Sequence, residues 1–148
     1  MTTTLTRDQM LDLISRHEIA EGTGDVQAAM ATLGRETFHE IHPLGVSIRS
    51  RATVEEMYRR VLPTQKETVA GGERKAAWFS PNGVVCEYEF VVRSPPRKEF
   101  ISRVMVAFGF RDNLIYSERV FLGGEHAEIF LAALGPDFLS LSGVSIEG

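Results

Sequence analysis

The chain has 148 residues, of which 43% are hydrophobic and 24% charged, and its formal net charge is −4. This length and balance predict one globular domain over residues 1–148, with short tails at residues 1–6 and 136–148. The sequence contains no Lys/Arg-rich run and no apolar run of membrane length, which argues against nucleic acid or a membrane as partner.

The first predicted helix begins at a capping box, with Thr6 as N-cap and Gln9 three residues later. An apolar stripe at helical spacing follows and consists of Met10, Leu13, Ile14 and His17. The histidine that ends this stripe is either a buried residue held by one hydrogen bond or a residue that faces a pocket.

Two further helices are predicted in the first half of the chain. Asp25 caps the second, which is expected to end at Gly34 and Arg35. The third begins with a capping box at residues 53–56, carries Tyr58 on its inner stripe, and is expected to stop at Pro63.

Most of the remaining sequence predicts β-structure. A first strand is expected around residues 38–42 with a short return at 46–49, and a meander follows over residues 73–80, 84–93, 100–111 and 114–122. A last helix is predicted over residues 126–134. Helices that precede a mainly antiparallel sheet indicate an α+β fold.

Alternation along the long strands separates a face toward the helices from an outer face. The predicted pocket-lining residues are Phe38, Cys86, Tyr88, Phe90, Val104, Val106, Phe108, Val120 and Leu122. On the outer face, Glu87, Glu89 and Arg103 predict a charge ladder that is solvated or lies at a dimer interface.

The first strand carries the most concentrated polar pattern. Phe38, Glu40 and His42 share one side of it, and His39 and Ile41 share the other. If the first side faces the pocket, Glu40 orients the imidazole of His42, which is a competent base near neutral pH. His39 is then expected to be exposed.

This plan resembles the nuclear-transport-factor-2-like superfamily, which includes SnoaL-like polyketide cyclases, ketosteroid isomerases, scytalone dehydratase and limonene-epoxide hydrolase. The likeness rests on residues 14–25, 38–45, 53–63 and 104–122, and on residues 130–135, which resemble the closing helix of SnoaL-like members. It implies a cone-shaped cystatin-like roll, with amino-terminal helices packed on a curved, mainly antiparallel sheet.

The ketosteroid isomerases give a likeness at the level of single residues. Their oxyanion-hole tyrosine, on the first helix before the Gly-Asp junction, corresponds to His17, and a supporting tyrosine corresponds to Tyr58. Their general-base aspartate directly precedes a Pro-x-Gly sequence and corresponds to His42. Their second oxyanion acid falls at Val106, and an apolar pocket residue falls at Glu118. The resemblance therefore implies a similar site with changed chemistry.

Residues and resemblance together predict a cofactor-free acid/base enzyme of the isomerase, cyclase or dehydratase type, acting on a small apolar carbonyl compound. His42, oriented by Glu40, is the expected base, His17 and Tyr58 are the donors to a developing oxyanion, and Glu118 is a candidate second acid. Two alternatives remain open. One is a non-catalytic ligand-binding or dimerisation module of the same fold; the other is an epoxide or ester hydrolase that uses activated water.

Predictions about metals, partners and location complete the sequence reading. A metal set drawn from His17, Glu40, His42 and Glu118 lacks the spacing of a metal motif, and the resembling enzymes use no metal, so we expect none. We expect a homodimer formed through the outer sheet face. The single cysteine and the absence of an apolar signal core predict a cytoplasmic location.

Overall fold

In the computed structural model, which describes residues 3–94 and 99–147, helices pack on one face of a single sheet. The helices are α1 (Arg7–Thr23), α2 (Val26–Ala31), α3 (Arg51–Thr68) and α4 (Gly124–Leu134). The strands are β1 (Leu33–His42), β2 (Val46–Ile48), β3 (Val69–Ser80), β4 (Gly83–Val92), β5 (Phe100–Arg111), β6 (Leu114–Phe121) and β7 (Val144–Ile146).

The sheet has the strand order β3-β4-β5-β6-β1-β2-β7. β1 runs parallel to β6, and the other neighbouring strands pair antiparallel. The predicted α+β class with a mainly antiparallel sheet is therefore confirmed. The parallel pairing places His39 beside Glu118 and Ile41 beside Val120, which brings the first strand against the polar part of β6.

Helix α1 forms as its sequence predicts. The Gln9 amide donates to Thr6 Oγ1 at 3.2 Å, and the Thr6 amide donates to Gln9 Oε1 at 2.9 Å, so both halves of the capping box are present. Gly24 ends the helix with a φ of 74°, in the left-handed region that glycine adopts without strain. The predicted apolar stripe, including His17, is buried.

Three predicted helix boundaries are wrong. Helix α2 ends at Ala31, and Gly34 and Arg35 belong to β1. Helix α3 is capped by Ser50, whose Oγ accepts from the Thr53 amide at 3.4 Å, and Thr53 lies inside the first turn. The helix also continues past Pro63, whose ring lies on the exposed side while Val61 and Leu62 pack into the core.

The carboxyl-terminal segment is structured over its described part. A 3-10 helix spans Pro136–Ser140 and buries Phe138 in the core. β7 then pairs antiparallel with β2 at the edge of the sheet. Residues 1, 2 and 148 of the predicted tails lie outside the described residues. Within the described ranges, no helix has the length and apolar character needed to cross a membrane.

Candidate active site

A cavity of about 420 Å³ lies between the helices and the inner face of the sheet. Most of its wall is apolar. The predicted residues that line it are Tyr88, Phe90, Val104, Val106, Phe108, Val120 and Leu122. The exposed members of its lining are Gly22 at the end of α1, Lys66 near the end of α3, and residues 71–73 of β3. The mouth therefore opens between these two helix ends and the start of β3.

Two predicted lining residues lie elsewhere. Phe38 is on the outer face of β1, where the guanidinium groups of Arg49 and Arg119 stand 4.6 and 5.1 Å from its ring centre. Cys86 is fully buried in the core and does not reach the cavity. Both corrections are packing effects: two guanidinium groups cover the Phe38 ring, and neighbouring side chains close over the small thiol.

Five polar side chains converge on the cavity wall, and we call them the acid–base cluster: His17, Glu21, His39, Tyr58 and Glu118. α1, β1, α3 and β6 supply them. His17, His39, Tyr58 and Glu118 are all buried, whereas Glu21 is partly exposed toward the mouth. Buried charge of this kind is uncommon unless each group has a partner.

Glu118 is the centre of the cluster. Its Oε1 lies 2.6 Å from His17 Nε2, and its Oε2 lies 2.7 Å from His39 Nε2. The Tyr58 hydroxyl donates to Oε2 at 3.3 Å, and it also lies 2.9 Å from His39 Nε2 and 3.2 Å from His17 Nε2. One carboxylate therefore binds two imidazoles and a phenol.

The contacts of His17 require a proton on both ring nitrogens. Its Nδ1 lies 2.6 Å from Thr32 Oγ1, and the Thr32 hydroxyl donates its own proton to the Ala29 carbonyl at 2.6 Å. The Thr32 oxygen must therefore accept from a protonated Nδ1. His17 Nε2 faces the carboxylates of Glu118 and Glu21, at 2.6 and 2.9 Å. A lone pair would be repelled there, so Nε2 is protonated as well.

The pKa shifts agree with this charge assignment. Burial alone lowers the pKa of His17, but the carboxylates of Glu118 and Glu21 outweigh it and hold the pKa well above 6.5. Burial alone raises the pKa of Glu118, but the facing His17 and His39 outweigh it and lower the pKa below 4.5. Burial and the two carboxylates raise the pKa of Tyr58 well above 10.0, so its hydroxyl remains a donor.

One oxygen of Glu118 lacks a hydrogen bond. Although His17 Nε2 is only 2.6 Å from Oε1, the N–H bond is not aligned with that oxygen. Among residues 3–94 and 99–147 no other donor reaches it. An ionised carboxylate oxygen that is buried without a hydrogen bond keeps free lone pairs and can accept a proton.

The cluster contains side chains that often bind metals, but its ligand atoms lie closer together than two ligands of one ion would. Ligand atoms of His17, Glu21 and Glu118 lie within 4.8 Å of one another and could hold a cation. Yet two ligands of one ion, each about 2.1 Å from it, stand about 3 Å or more apart. The 2.6 Å contact between His17 and Glu118 is shorter than this, so the two groups form a direct ion pair.

The predicted base pair lies on the wrong side of β1. His42 Nε2 is 3.4 Å from Glu40 Oε2, so the predicted contact forms. It forms on the outer face, however, where Glu40 also pairs with Arg119 at 3.2 Å and His42 stacks on Phe121 at 4.8 Å. Neither residue lines the cavity. The strand-face prediction is therefore wrong, and His39, which was expected to be exposed, is buried inside.

A third histidine, His126 of α4, lines the cavity away from the acid–base cluster. Its Nδ1 lies 2.7 Å from Ser102 Oγ, and the Phe90 ring meets it edge-on at 6.2 Å. Burial lowers the pKa of His126, so its ring is neutral near pH 7. The sequence did contain a signal for this residue: His126, Phe130 and Leu134 recur at four-residue spacing on the inner face of α4.

Comparison with known proteins identifies the fold. No protein-family model and no curated protein matches the chain. An uncharacterized protein with a cystatin-like fold from Silicibacter pomeroyi is 14% identical, with a TM-score of 0.71 over 93% of this chain and 97% of that one. A nuclear-transport-factor-2-like protein of unknown function from Cytophaga hutchinsonii is 14% identical, with a TM-score of 0.63 over 86% of this chain and 99% of that one.

This chain has the nuclear-transport-factor-2-like fold. A further solved structure with a ketosteroid isomerase-like fold, from Catenulispora acidiphila in complex with trimethylamine, is 12% identical, with a TM-score of 0.61 over 74% of this chain and 83% of that one. The resemblance drawn from the sequence is thus confirmed at the level of fold. One fold can host many unrelated chemistries, so the function has to be inferred from the residues of the site.

Proposed function

We propose that this protein is a cofactor-free acid/base enzyme for a small, largely apolar carbonyl compound, and that Glu118 accepts the proton. The observation that carries the proposal is the buried Glu118 carboxylate on the cavity wall, which faces two imidazoles and a phenol at 2.6, 2.7 and 3.3 Å. His17 and Tyr58, both in contact with the same carboxylate, are the donors that stabilise the developing oxyanion. Glu118 thus replaces His42 as the base.

The cluster couples proton uptake to the release of its donors. In the resting site, the charge of Glu118 attracts the imidazolium of His17, and its Oε2 accepts the Tyr58 O–H. When Glu118 takes the proton from the α-carbon, its charge disappears and its hold on both donors weakens. The electrons of the broken C–H bond move to the carbonyl oxygen, which then attracts the donors. Stabilisation of this kind is greater in the transition state than in the ground state, which is what catalysis requires.

The low basicity of Glu118 limits the substrate. A carboxylate whose pKa is lowered by two imidazoles is a weak base, so the C–H bond that it breaks must already be acidic. Carbon flanked by two carbonyl groups meets this condition. The proposal therefore favours 1,3-dicarbonyl compounds, whose enolates lead to isomerisation or aldol cyclisation.

Deuterium exchange tests the proposal without knowledge of the natural substrate. The C–H hydrogen of 3-methylpentane-2,4-dione is followed by NMR in D₂O, with wild type, Glu118→Gln, His17→Gln and His42→Gln. Wild type and His42→Gln are expected to accelerate exchange equally, because His42 lies outside the cavity. Glu118→Gln and His17→Gln are each expected to lose at least about 100-fold, the usual contribution of a positioned acid or base.

Equal exchange with wild type and Glu118→Gln would show that Glu118 is not the base. Loss of exchange in His42→Gln alone would instead support the outer-face pair. Far-ultraviolet circular dichroism of each variant separates loss of chemistry from loss of fold.

A non-catalytic ligand-binding module is the second candidate function. One observation favours it: His17 and Tyr58, the two donors proposed for the oxyanion, already face Glu118. Such a protein would bind dicarbonyl compounds without exchanging their hydrogens. The same NMR experiment separates the two, because binding broadens or shifts the ligand signals while exchange removes one of them.

The proposal includes a homodimer formed through the outer sheet face. Trp78, Ile101 and Phe121 lie on that face and are 54%, 55% and 46% exposed. Large exposed apolar groups on one sheet face are typical of an interface. The Glu89–Arg103 pair, at 3.3 Å across β4 and β5, lies on the same face.

A further inference from the structure

The cavity has two polar ends that are joined along β5 and β6 by an apolar strip. One end is Glu118, which pairs in register with Phe108 of β5. The other is His126, which contacts Ser102 of the same strand. Ser102 and Phe108 are six residues apart in one strand, which corresponds to roughly 20 Å of extended chain. On β5 and β6, the part of the cavity wall between them consists of Val104, Val106, Val120 and Leu122.

At its end of the cavity, His126 has one ring nitrogen, Nε2, that is not used in a hydrogen bond. Its Nδ1 contacts Ser102, whereas its Nε2 has no hydrogen-bond partner among the described residues. His126 is 6% exposed and lines the cavity. Because His126 lines the cavity, this nitrogen is available to a ligand or to water there.

The orientation of the Ser102 hydroxyl determines which ring nitrogen of His126 carries the proton. Ser102 is buried, and among the described residues its oxygen has one partner, His126 Nδ1. The serine proton therefore points to Nδ1, and in the neutral ring the remaining proton sits on Nε2. At His17 the arrangement is reversed, because the Thr32 hydroxyl donates to the Ala29 carbonyl. His126 thus offers an N–H donor to the cavity.

We propose that His126 Nε2 donates to an acceptor at the far end of the ligand, which is therefore an elongated, largely apolar molecule with polar groups at both ends. The near end carries the acidic C–H or O–H that meets Glu118. The far end carries a carbonyl or ether oxygen. This inference rests on the proposed function for the near end only; the far end depends on His126, Ser102 and the apolar wall.

A set of stilbenes tests the two ends separately. The first pair is 4-hydroxystilbene and 4-acetyl-4′-hydroxystilbene, titrated by fluorescence into wild type, His126→Phe and Glu118→Gln. In wild type the acetyl compound is expected to bind about fivefold more tightly, the effect of one net hydrogen bond. In His126→Phe this ratio is expected to fall to one. In Glu118→Gln both phenols are expected to weaken equally, so that the ratio stays the same.

A second pair, stilbene and 4-acetylstilbene, lacks the phenol and isolates the far end. A preference for the acetyl compound that disappears in His126→Phe supports the inference even if deuterium exchange shows that Glu118 is not a base. Ser102→Ala gives a second variant, in which the ratio is expected to fall because nothing fixes the proton on Nε2. An equal ratio in wild type and both variants, or no binding of any stilbene, would overturn the inference.

Discussion

The charge of His17 depends on one hydroxyl proton and two carboxylates. Thr32 is able to accept from Nδ1 only because its own proton goes to Ala29, and Nε2 carries its proton because Glu118 and Glu21 face it. A single imidazolium balanced against Glu118 gives the cavity wall both an acid and a base. The two groups also depend on each other for their charge, so the pH dependence of stability reports on the pair.

We expect Glu118→Gln to lower the free energy of unfolding, because removing one partner leaves a buried charge without its counter-charge. The difference from wild type is expected to be largest between pH 4.5 and 6.5, at about 3 kcal/mol. The pKa of Glu118 is lowered, so its contribution is present above pH 4.5 and is lost as the pH falls through the folded value. The pKa of His17 is raised, so its contribution is present below pH 6.5 and is lost as the pH rises through the folded value.

Urea unfolding of both proteins across pH 3 to 9 measures this difference. Glu40→Gln is the matched control, because Glu40 pairs with His42 and Arg119 on the outer face; we expect a cost below about 1 kcal/mol. A difference that does not change with pH would contradict the assigned charges.

The sequence predicted the site residues on helices correctly but misplaced those on β1. His17 and Tyr58 lie on helical stripes whose apolar members identify the buried side. Both faces of β1 mix polar and apolar residues: one carries Phe38, Glu40 and His42, and the other carries His39 and Ile41. Alternation alone could therefore not identify the buried face. Arg49 and Arg119 cover Phe38, and contacts from distant parts of the chain are not visible in a strand pattern.

Two helices and the start of β1 are linked through Thr32, which gives a prediction at the scale of elements. Thr32→Val keeps the shape but leaves the Nδ1–H of His17, on α1, without an acceptor. We expect a loss of about 2 kcal/mol in unfolding free energy, the cost of stranding a buried polar group. NMR titration should also show a lower pKa for His17, because the charged ring loses a hydrogen bond.

Thr37→Val is the matched control for that prediction. Thr37 is equally buried, but its Oγ1 has no hydrogen-bond partner among the described residues. Its replacement should be neutral or stabilising. If Thr32→Val were as mild as Thr37→Val, the hydrogen-bond chain from Ala29 to His17 would not hold.

Local signals predicted most elements and failed where distant contacts decide. The capping box at Thr6 and the turns at Asn82-Gly83 and Asp112-Asn113 act within a few residues, and these boundaries came out well. The start of α3 was misplaced at Thr53: Ser50 is the N-cap, and Thr53 lies inside the helix, where its hydroxyl donates to Ser142, which is distant in sequence. Residues 136–140 were predicted as a tail, yet burial of Phe138 orders them.

For the whole molecule, the positions of the mouth and the outer face allow dimerisation and ligand entry at the same time. The mouth lies at the ends of α1 and α3 and the start of β3, whereas Trp78 and Phe121 lie on the opposite side of the sheet. A partner on the outer face would leave the mouth open. Cavity chemistry should therefore not require the dimer.

Phe121→Glu places a charge in the proposed interface and is expected to convert the dimer to a monomer, because an unpaired charge at an interface centre is strongly disfavoured. Ile19→Glu is the matched control: Ile19 is 65% exposed, but it lies on α1, away from the outer face. Sedimentation velocity should give twice the chain mass for wild type and Ile19→Glu, and a single chain mass for Phe121→Glu.

The monomer should still exchange the dione hydrogen at the wild-type rate, since every residue of the acid–base cluster comes from one chain. A monomeric wild type would refute the interface, and loss of exchange in a folded Phe121→Glu monomer would show that the cavity depends on the partner.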